Sequence, residues 1–128
     1  MKIESLSYVS IETTDLQEWD DYAKNVVGLM KNESLSNDHN LYLRMDEKAF
    51  RFHIQTGGSK KFIAAGLNIR GKEEFEVAKN ELTSANIDFA DFSDELIAAR
   101  CVKNGITLKD PAGNALEISY GGADADEP

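Results

Sequence analysis

The sequence predicts a single α+β domain in which one strand-helix-strands unit occurs twice. Its 128 residues are enough for one domain and leave no room for a second. Apolar and polar residues alternate in several short segments of both halves, as they do in half-buried strands. In each half a segment with helical spacing follows the first strand, so the order of elements restarts near the midpoint of the chain.

The first half begins with a strand at residues 6–12, whose alternation directs Val9 and Ile11 toward a core. The opposite side of this strand carries Tyr8, Ser10 and Glu12. Asp15 is a candidate N-cap for an amphipathic helix that runs up to Gly28.

Three further strands complete the first half. Residues 41–45 and 50–55 alternate on either side of a turn-like segment and predict an antiparallel pair. A shorter strand is predicted near residues 29–33. Residues 55–61, rich in glycine and polar loop formers, then connect the two halves.

The second half repeats this order with a strand at residues 62–69 and a helix at residues 73–85. Ser93 is a candidate cap for a short helix that ends at residue 100. Later strands are predicted at residues 87–92, 106–108 and 115–120. We therefore predict one domain over residues 1–121, with module one at about residues 1–57 and module two at about residues 62–121, followed by an acidic tail or interdomain linker at residues 122–128.

Composition excludes several classes of function. A net charge of −9 without a basic stripe argues against nucleic-acid binding. No apolar run approaches the length of a membrane span, and the first residues do not resemble an export signal. The single cysteine, Cys101, fits a reducing cytoplasm and is expected to act as a small, half-buried hydrophobe.

Three stretches carry a family resemblance: residues 6–30, 41–57 and 106–122. They are similar to the N-terminal domain of type I extradiol dioxygenases, which cleave dihydroxybiphenyl and catechol rings and belong to the vicinal oxygen chelate superfamily. The DPAGN sequence at residues 110–114, followed by LEI at residues 116–118, is typical of the whole superfamily. The LYLRMD sequence at residues 41–46 and the AAR sequence at residues 98–100 narrow the match to extradiol enzymes.

The resemblance implies two βαβββ modules whose mixed sheet curves around a cleft, as in glyoxalase and bleomycin-resistance proteins. In catalytically competent relatives the first and last strands of each module supply His and Glu metal ligands. Carried onto this chain, the four positions are Tyr8, Arg51, Ala64 and Glu117. Only Glu117 is a conventional ligand, whereas a ring-cleaving Fe(II) centre needs two imidazoles and a carboxylate. We therefore expect no cofactor in this chain and Fe(II) in a separate catalytic domain.

Several polar residues remain to be weighed. Tyr8 is expected to be a partly buried structural residue, and Arg51 and Glu117 either pair with each other or are separately solvated. A histidine pair that binds metal is improbable, because His39 lies in a polar loop away from the strand that carries His53. The residues that alternation directs toward a polar cleft face, either wet or covered by a partner, are Ser10, Glu12, Arg51, His53, Asn68, Glu117 and Ser119. Among these, Ser10, His53 and Ser119 are candidates to line the cleft.

The leading hypothesis is a non-catalytic N-terminal module that packs against a catalytic C-terminal domain or a second copy of the chain, and homo-oligomers are compatible with it. The alternative is a free-standing, metal-free small-molecule binding protein of the bleomycin-resistance type. A glyoxalase-like lyase ranks last, because the chain has too few ligands to share across a dimer.

Overall fold

The computed structural model describes Met1 and residues 3–124. Its strands are β1 (Ile3–Thr13), β2 (Met30–Lys31), β3 (Asn40–Arg44), β4 (Phe52–Thr56), β5 (Lys61–Ile69), β6 (Ala90–Asp91), β7 (Asn104–Lys109) and β8 (Ala115–Tyr120). Its helices are α1 (Leu16–Tyr22), which continues as a π-helix over Ala23–Val27, α2 (Lys72–Ser84) and α3 (Asp94–Arg100). Every predicted helix and strand is therefore present, and only their bounds differ.

The chain divides by its contacts into two compact units. The first unit comprises Tyr8–Ala64 together with Asp124, and the second comprises Met1–Ser7 and Ala65–Ala123. The divisions fall inside β1 and β5, so each of these strands contributes to both units. The strand order is β2-β3-β4-β1 in the first unit and β5-β8-β7-β6 in the second.

In the first unit, β1 runs parallel to β4 and β3 runs antiparallel to β4. The carboxylate of Asp15 accepts the Glu18 N–H at 3.1 Å and so caps α1 as predicted. Gly28, with a φ of 83°, ends the π-helix in the left-handed conformation that glycine adopts without strain. The core of this unit consists of Ala23, Leu41, Leu43 and Ile54, with Ile11, Leu16, Trp19, Leu29 and Phe52 packed around them.

In the second unit, β7 pairs antiparallel with both β8 and β6. Phe75 on α2 is fully buried, and Ser93 accepts the Leu96 N–H at 3.1 Å to cap α3. The core consists of Ile69, Phe75, Ala78, Leu82, Ile106 and Ile118, with Leu67, Phe89, Leu108 and Tyr120 packed against them. Phe75 and Trp19 thus occupy corresponding positions, each holding its helix to a sheet.

The DPAGN segment forms the tight hairpin between β7 and β8. The Asp110 N–H donates to the Asn114 carbonyl at 2.9 Å, and Gly113 has a φ of 88°. Hydrogen bonds from the backbone and side chain of Asn114 hold the pKa of Asp110 below its usual value. The aspartate is therefore engaged in holding the turn together.

The predicted acidic tail begins as an ordered segment. The Ala123 N–H donates to the Cys101 carbonyl at 2.8 Å, and Asp124 forms an antiparallel bridge with Lys48. Residues 125–128 of the tail lie outside the described residues. Cys101 is half-buried as expected, and burial raises the pKa of its thiol, which disfavours the reactive thiolate.

No helix within residues 3–124 combines the length and the apolar character that crossing a membrane requires.

Candidate functional site

The first unit contains a buried polar cluster centred on His53. The parallel register of β1 and β4 places Ser10 beside His53, and the β3–β4 register places Tyr42 opposite it. His53 Nδ1 lies 3.0 Å from the Ser10 hydroxyl, and its Nε2 lies 2.8 Å from Asn40 Oδ1. Both ring nitrogens are therefore engaged inside the protein, and neither is available to a metal in this arrangement.

Aromatic rings cover this cluster, so the prediction that its residues lie on a wet face is wrong. Ser10 is 0% exposed and His53 is 3% exposed, so neither lines an open surface. The Tyr42 ring stacks on His53 with centroids 4.7 Å apart, and Phe50 meets Tyr42 edge-on at 5.0 Å. Alternation predicted correctly that Ser10 and His53 share a face, but the aromatic neighbours bury that face.

Tyr8 is the first of the four positions that the family resemblance predicts for metal ligands. Its side chain is more deeply buried than predicted, with 2% exposure. Its ring centroid lies 5.3 Å from that of Phe50. The phenol thus forms part of the aromatic cover over the first unit.

The predicted separation of His39 from β4 is wrong. The Thr56 N–H donates to the His39 carbonyl at 2.9 Å, and the Thr56 hydroxyl lies 3.4 Å from His39 Nδ1. The register that pairs Asn40 with Gln55 brings the preceding loop back beside the end of β4. Even so, His39 is exposed whereas His53 is buried among its own partners.

Arg51, at the second position, pairs with Asp46 across the turn between β3 and β4. Its Nη2 lies 2.7 Å from Asp46 Oδ2, and its Nε donates to both carboxylate oxygens at 3.0 and 3.1 Å. The Arg51 hydrogen bond holds the pKa of Asp46 below its usual value. The pair predicted between Arg51 and Glu117 stays a prediction, and each of these residues has a partner within its own unit.

Glu117, at the fourth position, is held by an arginine that sequence reasoning did not single out as its partner. Arg100, the last residue of α3, donates through Nε to Oε1 at 2.7 Å and through Nη2 to Oε2 at 3.1 Å. Only 4% of the Arg100 side chain and 6% of the Glu117 side chain are exposed. The available signal was an arginine that closes a short helix whose preceding residues are mostly apolar.

The remaining predicted positions lie inside the protein. Ala64, at the third metal position, is 0% exposed and has no donor atom beyond its backbone. Ser119 is 1% exposed, and its hydroxyl has no hydrogen-bond partner among the described residues. Glu117 and Ser119 are buried, so the prediction of a wet face is wrong for them as well. Asn68 and Arg51 are partly exposed.

These residues do not fit a ring-cleaving iron centre. The four positions offer a buried phenol, a guanidinium, a methyl group and one carboxylate, and the carboxylate is held by Arg100. An Fe(II) site of this chemistry requires imidazole ligands, which none of the four positions supplies. Across residues 3–124, no cluster of three or more His, Cys, Asp or Glu side chains has the arrangement of a metal site.

An open groove of about 480 Å³ lies beside α1, away from these positions. Trp19 and Tyr22 form its aromatic side, and Lys60 and Lys61 line it as well. Glu12, predicted for the cleft face, reaches this groove and accepts the Ser59 hydroxyl at 2.8 Å and the Ser59 N–H at 3.1 Å. The Ser59 hydroxyl is also the main cause of a lowered Glu12 pKa.

Residues 6–57 match the family model described as "Dihydroxybiphenyl dioxygenase BphC D1". The chain is 33% identical over 123 residues to an iron-dependent extradiol dioxygenase of Rhodococcus jostii, covering 96% of this chain and 41% of that protein. It is 34% identical over 124 residues to a biphenyl-2,3-diol 1,2-dioxygenase of a Pseudomonas species, covering 97% of this chain and 42% of that protein. The chain thus spans about two fifths of the length of the curated relatives it matches.

Solved structures give the same result. A catechol 2,3-dioxygenase matches with a TM-score of 0.93 and 30% identity over 100% of this chain and 45% of its own. A halotolerant catechol dioxygenase matches with a TM-score of 0.86 and 25% identity over 98% of this chain and 42% of its own. Both matches extend over essentially all of this chain, so its two units together correspond to part of a larger protein.

Proposed function

Because this chain belongs to the family of N-terminal domains of extradiol ring-cleavage dioxygenases, we propose that it is the non-catalytic domain of a two-domain enzyme. The predicted fold class, two βαβββ modules of the vicinal oxygen chelate type, is confirmed by the elements described above and by the solved dioxygenases that match. The whole enzyme would carry its reactive centre in a second domain that follows this one.

The observation that carries this proposal is the state of Glu117. It is the only conventional ligand among the four metal positions, and a buried guanidinium already holds both of its carboxylate oxygens. Displacing Arg100 would leave an unpaired charge in the interior, which is costly. The engagement of Glu117 by Arg100 therefore supports a module in which Glu117 is not a metal ligand.

The proposed reaction of the whole enzyme is the opening of a catechol-type aromatic diol with Fe(II) and O₂. Support comes from the relatives, which include an iron-dependent extradiol dioxygenase, biphenyl-2,3-diol dioxygenases and a 3-methylcatechol 2,3-dioxygenase of Pseudomonas putida. In this proposal the present domain stabilises the catalytic domain and supplies no group to the chemistry. Fe(II) would be held by histidine and glutamate side chains of the catalytic domain.

The test compares the full natural polypeptide with residues 1–128 produced alone. Both proteins are reconstituted with Fe(II) without oxygen, and iron content, O₂ uptake and ring-cleavage product are measured with catechol and with a dihydroxybiphenyl. We expect iron and turnover in the full polypeptide and neither in residues 1–128. Stoichiometric iron with turnover by the 128-residue chain would contradict the proposal.

A matched variant tests whether Glu117 is outside the iron centre. The double change of Arg100→Met and Glu117→Gln in the full polypeptide removes both charges of the buried pair. We expect iron content per folded molecule to stay unchanged, because the proposed iron ligands lie elsewhere. Loss of iron from a folded variant would show that Glu117 is a ligand after all.

Tight binding of a small molecule by residues 1–128, with no second domain in the natural polypeptide, would instead favour the bleomycin-resistance type of binding protein.

A further inference from the structure

We infer that the turn between β3 and β4, residues 45–48, is the docking surface for the catalytic domain that follows this one. This inference rests on the proposed function, because it takes as its partner the domain that the proposed function requires. It specifies where on the present domain that partner binds and which chemistry the contacting surface of the partner has.

The first argument is where the polypeptide leaves the described structure. Asp124 forms an antiparallel bridge with Lys48, and its Oδ1 lies 3.0 Å from Lys48 Nζ. Residues 125–128 span at most about 14 Å when fully extended. A domain that continues from residue 128 therefore starts close to this turn, which raises the effective concentration of its surface there.

The second argument is that the turn is held in one conformation from within. Asp46 accepts Arg51 through its carboxylate at 2.7 Å, the Lys48 N–H at 3.1 Å, and Arg44 through its carbonyl at 3.4 Å. A surface that is ordered before binding loses less conformational entropy when a partner docks. This turn is therefore prepared for a partner in a way that a mobile loop is not.

The third argument is the exposed side chain at the start of this turn. Met45 is 66% exposed, and its flexible, polarisable thioether adapts well to an apolar pocket on another protein. Ala49 and Phe50, which follow the turn, are each 5% exposed. The exposed side chain of Met45 therefore lies close in sequence to buried apolar residues. Burying the Met45 side chain in an interface would supply apolar contact area at this end of the turn.

Charge defines the rest of the partner's face. Glu47 is exposed next to Met45, Asp124 is 65% exposed, and the whole chain carries a net charge of −9. An apolar socket for Met45 with lysine or arginine residues at its rim would complement this surface. We expect that combination on the catalytic domain.

The experiment places a photo-crosslinking residue, p-benzoylphenylalanine, at Met45 of the full natural polypeptide. The matched control carries the same residue at Val77, which is 50% exposed on α2 and lies outside the turn and the strands that pair beside it. A second probe at Glu47 covers the same turn. After irradiation, crosslinked peptides are mapped by mass spectrometry, and iron content and ring cleavage are measured on the same preparations.

We expect crosslinks from Met45 and Glu47 to residues beyond 128 of the same molecule, and none from Val77. Ring cleavage with retained iron but no such crosslink from either turn probe would overturn the docking surface while leaving the proposed function intact. Crosslinks from Met45 to residues 1–128 of a second copy would overturn it in favour of a dimer contact. A natural polypeptide without a second domain would overturn both the docking surface and the proposed function.

Discussion

The two units bury polar groups in different ways. In the first unit a cluster centred on a histidine joins Ser10, His53 and Asn40 by hydrogen bonds of 3.0 and 2.8 Å. In the second unit an ion pair joins Arg100 and Glu117 by hydrogen bonds of 2.7 and 3.1 Å. Ser10, His53, Arg100 and Glu117 are almost fully buried and Asn40 is partly buried, so the main contrast is between a histidine cluster and an ion pair.

The two clusters differ in what the loss of one member leaves behind. In the cluster around His53, losing one hydrogen-bonding group leaves a single unsatisfied polar group. An ion pair in the interior needs both members, because removing one leaves an uncompensated charge. The second unit should therefore be more sensitive than the first to substitution of one polar residue.

The largest effect is expected from Arg100→Met, which leaves Glu117 buried without its guanidinium. This change should lower the free energy of unfolding by about 3–5 kcal/mol. The measurement is chemical denaturation at pH 7. Adding Glu117→Gln should recover most of the loss, whereas Asp91→Asn, which removes an ion pair whose acid is 66% exposed, should cost less than about 1 kcal/mol. Equal losses in the free energy of unfolding for Arg100→Met and Asp91→Asn would contradict the expected difference between buried and surface ion pairs.

A smaller effect is expected from Ser10→Ala in the cluster around His53. The change removes the hydroxyl that lies 3.0 Å from His53 Nδ1 and leaves that nitrogen buried without this partner. We expect a loss of about 1–3 kcal/mol in the free energy of unfolding, again from denaturation curves. A loss as large as that of Arg100→Met would contradict the expected difference between the two units.

Asp46→Asn should have a still smaller and pH-dependent effect. The Asp46 side chain is 34% exposed, so its ion pair with Arg51 should contribute less than about 1 kcal/mol at pH 7. Because Arg51 lowers the pKa of Asp46, this stability is present above the ordinary aspartate pKa of about 4 and is lost as the pH falls through the lowered value. Denaturation at a series of pH values should show the wild type and the variant converging in acid. A difference that grows as the pH falls would contradict the assignment.

The smallest effect is expected from Ser119→Ala. Its hydroxyl is buried but has no hydrogen-bond partner among the described residues, so its removal breaks no hydrogen bond described here. We expect a change within about 0.5 kcal/mol, in contrast to Ser10→Ala at a similarly buried serine. A loss comparable to that of Ser10→Ala would indicate a partner for Ser119, such as a bound water.

The helices and strands were predicted well because helix caps, turns and alternating residues depend on neighbours in the sequence. Asp15 and Ser93 cap helices as their side-chain chemistry favours, Gly28 ends the π-helix, and residues 110–114 form the hairpin between β7 and β8. The same reasoning gave the wrong environment for Ser10 and Glu117. Alternation specifies the face of a strand that a side chain occupies, but burial of that face depends on Tyr42, Phe50 or Arg100, which lie elsewhere in the chain.

The sequence by itself determined the order of elements, the family, and the absence of conventional metal ligands at Tyr8, Arg51 and Ala64. These properties depend on residue type and short spacings, which can be read without coordinates. Only the tertiary structure decided that Glu117 is bound by Arg100 and that Arg51 is bound by Asp46. An ion pair forms between side chains that the fold brings within about 4 Å, and the sequence offered several acids for each arginine. The choice among them followed from the packing of α3 against β8 and from the turn that joins β3 to β4.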